Sequence, residues 1–177
     1  MIRIITDSTA DIPREDIQAL GVRVVPLQVN IDGEMFRDGL DLEPESFYEM
    51  LAGAKSLPTT SQPSPELFEK FYAEAAAAGD EVVGIFLSHE LSGTYQCAKL
   101  AADLANVDNV LFVDSTNVCL GEGLLVRLAA HLRDEGRSAV QIAATLEHAK
   151  EHVYGAAARV GHMLQARDPV VRGQLRD

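Results

Sequence analysis

Glu81-Val82-Val83-Gly84-Ile85-Phe86-Leu87, followed at once by Ser88-His89-Glu90-Leu91-Ser92-Gly93-Thr94-Tyr95-Gln96, is the stretch on which the fold turns. A short apolar run bounded by polar residues reads as a buried strand. The spacing after it predicts a helix over Leu91–Ala105, so the segment is one strand-to-helix unit. The same pattern recurs on either side. Ile2-Arg3-Ile4-Ile5 reads as a strand ending at the polar Asp7-Ser8-Thr9 turn. Asp11 is placed to cap the next helix, with Pro13 in its first turn and Gly21 as its stop. Val22–Val25 gives another strand, Leu27–Ile31 extends or follows it, and Asp32-Gly33 signals a turn.

Further along, Pro44–Leu51 reads as a helix and Lys55–Ser64 as a polar loop. Ser64 and Pro65 open a helix that ends at Gly79. Val110–Val113 is a strand and Leu120–Glu135 a helix stopped by Gly136. A Ser138/Gln141 capping box opens a last helix over Ser138–Val153. Strands alternating with helices predict an α/β fold, an open and mostly parallel sheet with helices on both faces.

The bulk properties narrow the function. The 177 residues can bury one substantial core, and 47% hydrophobic content is ordinary for a globular chain. A net charge of −12 argues against nucleic acid, which needs clustered Lys and Arg, and against an anionic membrane surface. Cys97 and Cys119 have no metal-ligand spacing and suit a reducing cytosol. Met1–Asp7 turns polar too soon for a signal peptide, and no apolar run approaches the roughly 20 residues of a transmembrane segment. A soluble, cytoplasmic protein is the expectation.

In open parallel sheets, ligands bind beyond the carboxyl ends of the strands. Asp7-Ser8-Thr9, Ser88–Thr94 and Asp114-Ser115 each follow a predicted strand directly, so three distant motifs converge on one rim. Hydroxyl groups clustered with Gly or Pro can hold a small anion by hydrogen bonds, without a dedicated cation. Taken singly, Thr59-Thr60-Ser61 reads as loop and cap hydroxyls, and Ser92-Gly93-Thr94 as an ordinary start of a helix. Their joint occurrence on one rim favours a ligand.

Five motifs in order carry a resemblance: Asp7-Ser8-Thr9-Ala10-Asp11, Pro26-Leu27, Thr60-Ser61-Gln62-Pro63, Leu91-Ser92-Gly93-Thr94-Tyr95 and Asp114-Ser115. Over roughly residues 1–150 the chain resembles the DegV family of bacterial fatty-acid-binding proteins. The resemblance implies a non-enzymatic carrier that presents a fatty acid to a fatty-acid kinase catalytic subunit, with the acyl phosphate feeding phospholipid synthesis. By motif position it assigns the carboxylate to Thr60 and Ser92, with Ser61, Gly93 and Thr94 as further ligand-binding positions. It implies no cofactor, no metal and no catalytic residue. Ile85, Phe86, Leu87, Leu91 and Leu124 are candidates for the wall around the hydrocarbon tail, although core is the competing reading of most.

Other readings of the same residues compete. Ser92, His89 and Asp114 invite a Ser-dependent hydrolase, although the flanking residues are not the Gly-x-Ser-x-Gly elbow of that class. Cys119 begins a helix, where a thiol pKa can be depressed, yet a small buried apolar role is the simpler expectation. His131, His148, His152 and His162 read as solvated.

Family members carry a second domain with a Leu-x-Tyr-Leu…Gly-Gly-Arg-Ile segment, of which Tyr154–Leu164 is a faint echo. The division expected is 1–153 as the DegV-like ligand-binding domain and 154–177 as a remnant or truncated C-terminal segment. A sixteen-carbon tail gains about 12 kcal/mol gross when buried, and losing half the enclosure removes roughly 6. Weak binding, a homodimer that covers the groove, or a non-binding remnant are the corresponding expectations.

Overall fold

The computed structural model describes residues 1–165, the side chains of 154–165 excepted. The proposed segment 154–177 therefore lies outside the described side chains, as does His162. The chain runs β1 (Ile2–Asp7), α1 (Arg14–Leu20), β2 (Val22–Val25), β3 (Gln28–Ile31), β4 (Glu34–Arg37), α2 (Pro44–Gly53) and β5 (Thr59–Ser61). It continues through α3 (Pro65–Ala77), β6 (Glu81–Phe86), α4 (Thr94–Ala105), β7 (Val110–Asp114), α5 (Leu120–Asp134) and α6 (Ala139–Gln165).

Four strands form a parallel sheet in the order β2-β1-β6-β7. Successive residues point to opposite faces, and both faces are packed. Ile4, Val83, Ile85 and Val113 meet Leu125, Val126 and Ala129 of α5 and Ile142 and Leu146 of α6. Ile5, Val82 and Phe86 meet Phe68, Phe71 and Tyr72 of α3 and Ala98 and Ala101 of α4. Burial on both faces explains why these strands read as continuous apolar runs rather than alternating ones. At the amino end of the sheet, Asp80 accepts hydrogen bonds from the Met1 amine at 2.6 Å and Arg3 Nε at 2.7 Å.

A second, antiparallel sheet has the order β4-β3-β5. Its apolar residues Val29 and Ile31 pack with Leu42 against Phe47 and Met50 of α2. A hollow of about 300 Å³ lies on this side, lined by Asp32, Glu34, Glu49 and Met50, apart from the rim motifs.

Several local expectations are corrected. Thr59–Ser61 is a strand, not loop: its backbone pairs with Gln28–Asn30 of β3. Glu34–Arg37 also forms a strand, paired across the Asp32-Gly33 turn. Asp11 does not cap α1; it closes a 3-10 turn over Ser8–Ala10 in the left-handed region, and Pro13 precedes the helix. α4 begins at Thr94, because Leu91 and Ser92 donate their amides to the Ser88 carbonyl in a separate turn. The Ser138/Gln141 capping box forms reciprocally, at 3.0 and 3.3 Å.

Candidate functional site

The carboxyl ends of β1, β6 and β7 meet through the polar motifs. Asp7 is buried, and its Oδ2 accepts from Leu87 N at 3.0 Å while Oδ1 accepts from Thr9 N at 2.9 Å. Ser8 Oγ accepts from Leu27 N at 3.0 Å, which ties the first turn to the Pro26-Leu27 segment. Ser88 N donates to Asn117 O at 2.8 Å, and Ser115 N donates to Phe86 O at 3.0 Å. Ser115 Oγ donates to Asn117 O at 3.0 Å. The Asp7-Ser8-Thr9 and Asp114-Ser115 motifs therefore spend their polar groups on building the rim.

The Ser92 and Thr60 motifs are placed differently. The Ser88–Ser92 turn delivers Ser92 just before α4, where Ser92 Oγ and Thr94 Oγ1 are 3.0 Å apart. Thr94 is buried, and its amide donates to Ser92 Oγ at 3.3 Å. Among the described residues the Gly93 amide has no intramolecular partner, which is ordinary for the first N–H groups of a helix and favours an anion there. Thr60 and Ser61 are exposed on β5, and among the described residues no hydrogen bond engages either hydroxyl.

The two motifs abut. A Cβ added at Gly93 would stand 2.1 Å from Oε1 of Gln62, so glycine lets the Gln62 side chain lie directly over the turn. Cys97 Sγ, one turn into α4, donates to the Pro63 carbonyl at 3.4 Å. Thr60-Ser61-Gln62-Pro63 is thereby held against the start of α4. Gln62 belongs to the quoted motif but carried no assigned role; its contact with Gly93 depends on a register that spacing alone does not reveal.

The tail-wall candidates divide. Ile85, Phe86 and Leu87 are buried in the core, whereas Leu91 is 65% and Leu124 47% exposed. Only these last two are free to meet a ligand. Cys119 is exposed rather than buried, and its thiol is pushed up to about 11 by burial of the sulfur and by neighbouring Asp11, the reverse of activation. His131 lies 3.3 Å from Glu135 at the surface, and His148 and His152 are exposed on α6. His89 Nδ1 donates to Asp114 Oδ2, and Asp114 Oδ1 accepts from Thr116 N at 2.9 Å. Two members of the hydrolase trio are thus adjacent, but the hydrogen-bond partner of Ser92 Oγ is Thr94, not His89.

Glu122 was not anticipated. It sits wholly buried in the first turn of α5 beside Asp7. The visible signal is a carboxylate between two glycines at the head of an apolar helix, Gly121-Glu122-Gly123.

A parallel sheet covered on both faces, with hydroxyl-bearing turns at its carboxyl rim, defines an α/β class of open-sheet protein. Residues 1–158 match the family described as "Uncharacterised protein, DegV family", and the chain belongs to the DegV family. A DegV domain-containing protein of Deinococcus radiodurans is 44% identical over 146 residues, covering 82% of this chain and 52% of the relative. One from Caldanaerobacter subterraneus is 41% identical over 145 residues, covering 82% and 51%. The solved structure of a fatty-acid-binding DegV family protein from Thermus thermophilus superposes with a TM-score of 0.76 at 43% identity, covering 85% of this chain and 53% of that one. DegV of Bacillus subtilis, described as a fatty acid binding protein, gives 0.77 at 36% identity, with 85% and 54% covered. The chain spans about half the length of the curated relatives it matches. Among the described residues no helix is long and apolar enough to cross a membrane.

Proposed function

We propose that this chain binds a long-chain fatty acid, with the carboxylate received by Thr60 and Ser92. The Ser61 hydroxyl and the Gly93 amide are further donors, and Thr94 holds Ser92 from behind. The observation that carries this reading is the abutment of the two motifs through Gln62 and Gly93, where a Cβ would meet Gln62 Oε1 at 2.1 Å. Thr60 and Ser61 carry exposed hydroxyls on β5 immediately before Gln62, and the Gly93 amide beneath Gln62 has no intramolecular partner among the described residues. Fatty-acid binding by the Thermus thermophilus and Bacillus subtilis structures supports the ligand class.

The chemistry suits a carrier. Each hydrogen bond to a carboxylate contributes about 1.5–3 kcal/mol, and none is a strong ion pair that would slow release. Leu91 and Leu124 offer apolar surface for the first methylenes, each worth about 0.8 kcal/mol when buried. We extend the proposal to presentation of the bound acid to a fatty-acid kinase catalytic subunit, yielding an acyl phosphate for phospholipid synthesis.

Organic extraction of the purified protein followed by lipid mass spectrometry tests the ligand class. A recovered fatty acid, or uptake of added palmitate, is the expected result; an empty protein that takes up none contradicts it.

The His89–Asp114 pair favours a second reading, ester hydrolysis through Ser92. Because Ser92 Oγ pairs with Thr94, no turnover of a p-nitrophenyl ester is expected. Hydrolysis abolished equally by Ser92→Ala and His89→Ala would replace the carrier reading with the enzymatic one.

A further inference from the structure

Glu122 and Asp7 are both fully buried, one on α5 and the other at the end of β1. Thr9 Oγ1 lies 2.7 Å from Asp7 Oδ1 and 2.8 Å from Glu122 Oε2. Thr6 Oγ1 donates to Glu122 Oε1 at 2.9 Å. A hydroxyl carries one hydrogen, so Thr9 can donate to only one of the two carboxyl groups. The other approaches this closely by carrying a proton of its own and donating it. Asp7 already accepts from two backbone amides, Thr9 N and Leu87 N, which favours its ionised form. Glu122 receives no such amide, so the proton belongs on Glu122.

The surroundings agree. The titratable groups set against Glu122 are Asp7 from β1, and Cys119 at the start of α5 with Asp11 of the 3-10 turn beyond it. From α6, Lys150 Nζ is committed to the Asp114 carbonyl at 3.2 Å and to Glu147 at 2.5 Å. Burial, and then the charge of Asp7, push Glu122 well above the ordinary carboxyl range, outweighing the preference of a helix N-terminus for an anion. Asp7 is also raised by burial, with the bonds from Thr9 and Leu87 working against the rise.

We propose that Glu122 is a neutral carboxylic acid sharing one proton with Asp7 across Thr9, and that this proton positions the exit of β6. Leu87, whose amide ends on Asp7, directly precedes the Ser88–Ser92 turn. Ionising Glu122 places two anions side by side, both shielded from bulk solvent. The repulsion displaces the pair and weakens the bond from Leu87 N to Asp7. Glu122 is therefore a positioning residue acting through Asp7, and its effect on ligand rests on the fatty-acid reading above. Affinity should fall as pH rises, approaching about tenfold per pH unit above the ionisation of Glu122. Stability follows the same sign. A folded-state pKa raised above the unfolded one means the native state holds a proton that the unfolded chain has released. Stability is lost as pH climbs from the ordinary carboxyl range through the folded value.

The test compares wild type with Glu122→Gln, which keeps the shape and cannot ionise. At neutral pH the infrared carbonyl band of a protonated acid should appear in wild type and be missing from the variant. The Leu87 amide resonance should move with pH in wild type as that band disappears, and stay still in Glu122→Gln. Palmitate affinity should fall with pH in wild type more steeply than in the variant, which removes the ligand's own ionisation from the comparison. Should Glu122→Gln fail to fold, the wild-type band and the Leu87 titration decide alone. A Glu122 carboxylate at neutral pH, a Leu87 resonance that ignores the band, or equal pH slopes would overturn the proposal. Absence of palmitate binding at every pH with the Leu87 titration intact would refute the fatty-acid reading and leave the shared proton standing.

Discussion

Replacing Thr60 and Ser92 together by alanine should lower fatty-acid affinity by about a hundredfold to ten-thousandfold, two charge-assisted hydrogen bonds at about 1.5–3 kcal/mol each. The fold should hardly notice. Thr60 joins β3 through its backbone, which alanine keeps, and its side chain is exposed. Ser92 Oγ loses one contact with Thr94 and one with the Thr94 amide. That loss is worth about 1 kcal/mol, or roughly 2–4 °C in melting temperature for a chain of this size. Isothermal titration with palmitate beside a thermal melt separates the two effects. Unchanged affinity would remove both hydroxyls from the site, and a collapse in melting temperature would make them structural.

Gly123→Ala should act in the opposite way, on stability first. In a helix interior alanine normally gains about 1 kcal/mol over glycine. Here an added Cβ would stand 2.3 Å from the Ala10 carbonyl oxygen, a backbone atom with no rotamer to yield. α5 would have to withdraw from the 3-10 turn, loosening the neighbouring Glu122–Thr9 contact of 2.8 Å. Overpacking of this kind costs about 1–3 kcal/mol, so the melting temperature should fall by roughly 2–12 °C. Any rise would mean that the close approach of α5 to Ala10 is not a constraint. Gly93→Ala is a milder relative: its obstacle is the flexible end of Gln62, which can swing aside.

The contrast between those two glycines marks where sequence reasoning reaches its limit. Strand and helix existence was legible because β1, β6 and β7 are covered on both sides, which forces apolar runs such as Val82–Phe86. β5 was not legible. Thr59, Thr60 and Ser61 are exposed, and only backbone pairing with β3 makes them a strand. The start of α4 was misjudged because Leu91 has the spacing of a helix face, while its amide and that of Ser92 close a turn on Ser88. Periodicity also cannot say which leucines stay dry, so Leu87 and Leu91 looked alike and proved opposite.

The rim was readable in outline, since topology places Asp7, Ser88 and Asp114 after parallel strands. That Asp7 and Ser115 hold the rim together, through Leu87 N and Asn117 O, depends on tertiary partners that motif order does not name. Thr60 and Ser92 entered through their motifs rather than through spacing. Their neighbourhood depends on Gln62 lying over Gly93, a tertiary contact. Glu122 escaped because a charged residue in a helix usually faces water, whereas here Thr6 of β1 and the 3-10 turn packed against Gly123 bury it.

Nuclear magnetic resonance titration with palmitate, carbon-13 labelled at the carboxyl, tests the central claim most directly because weak binding suffices. The account predicts a shifted carboxyl resonance and localised movement of the Thr60, Ser61, Gly93 and Thr94 amides, lost in the Thr60→Ala/Ser92→Ala protein. Amide shifts confined to other parts of the chain, or an unperturbed carboxyl resonance up to the solubility limit of the acid, would contradict it.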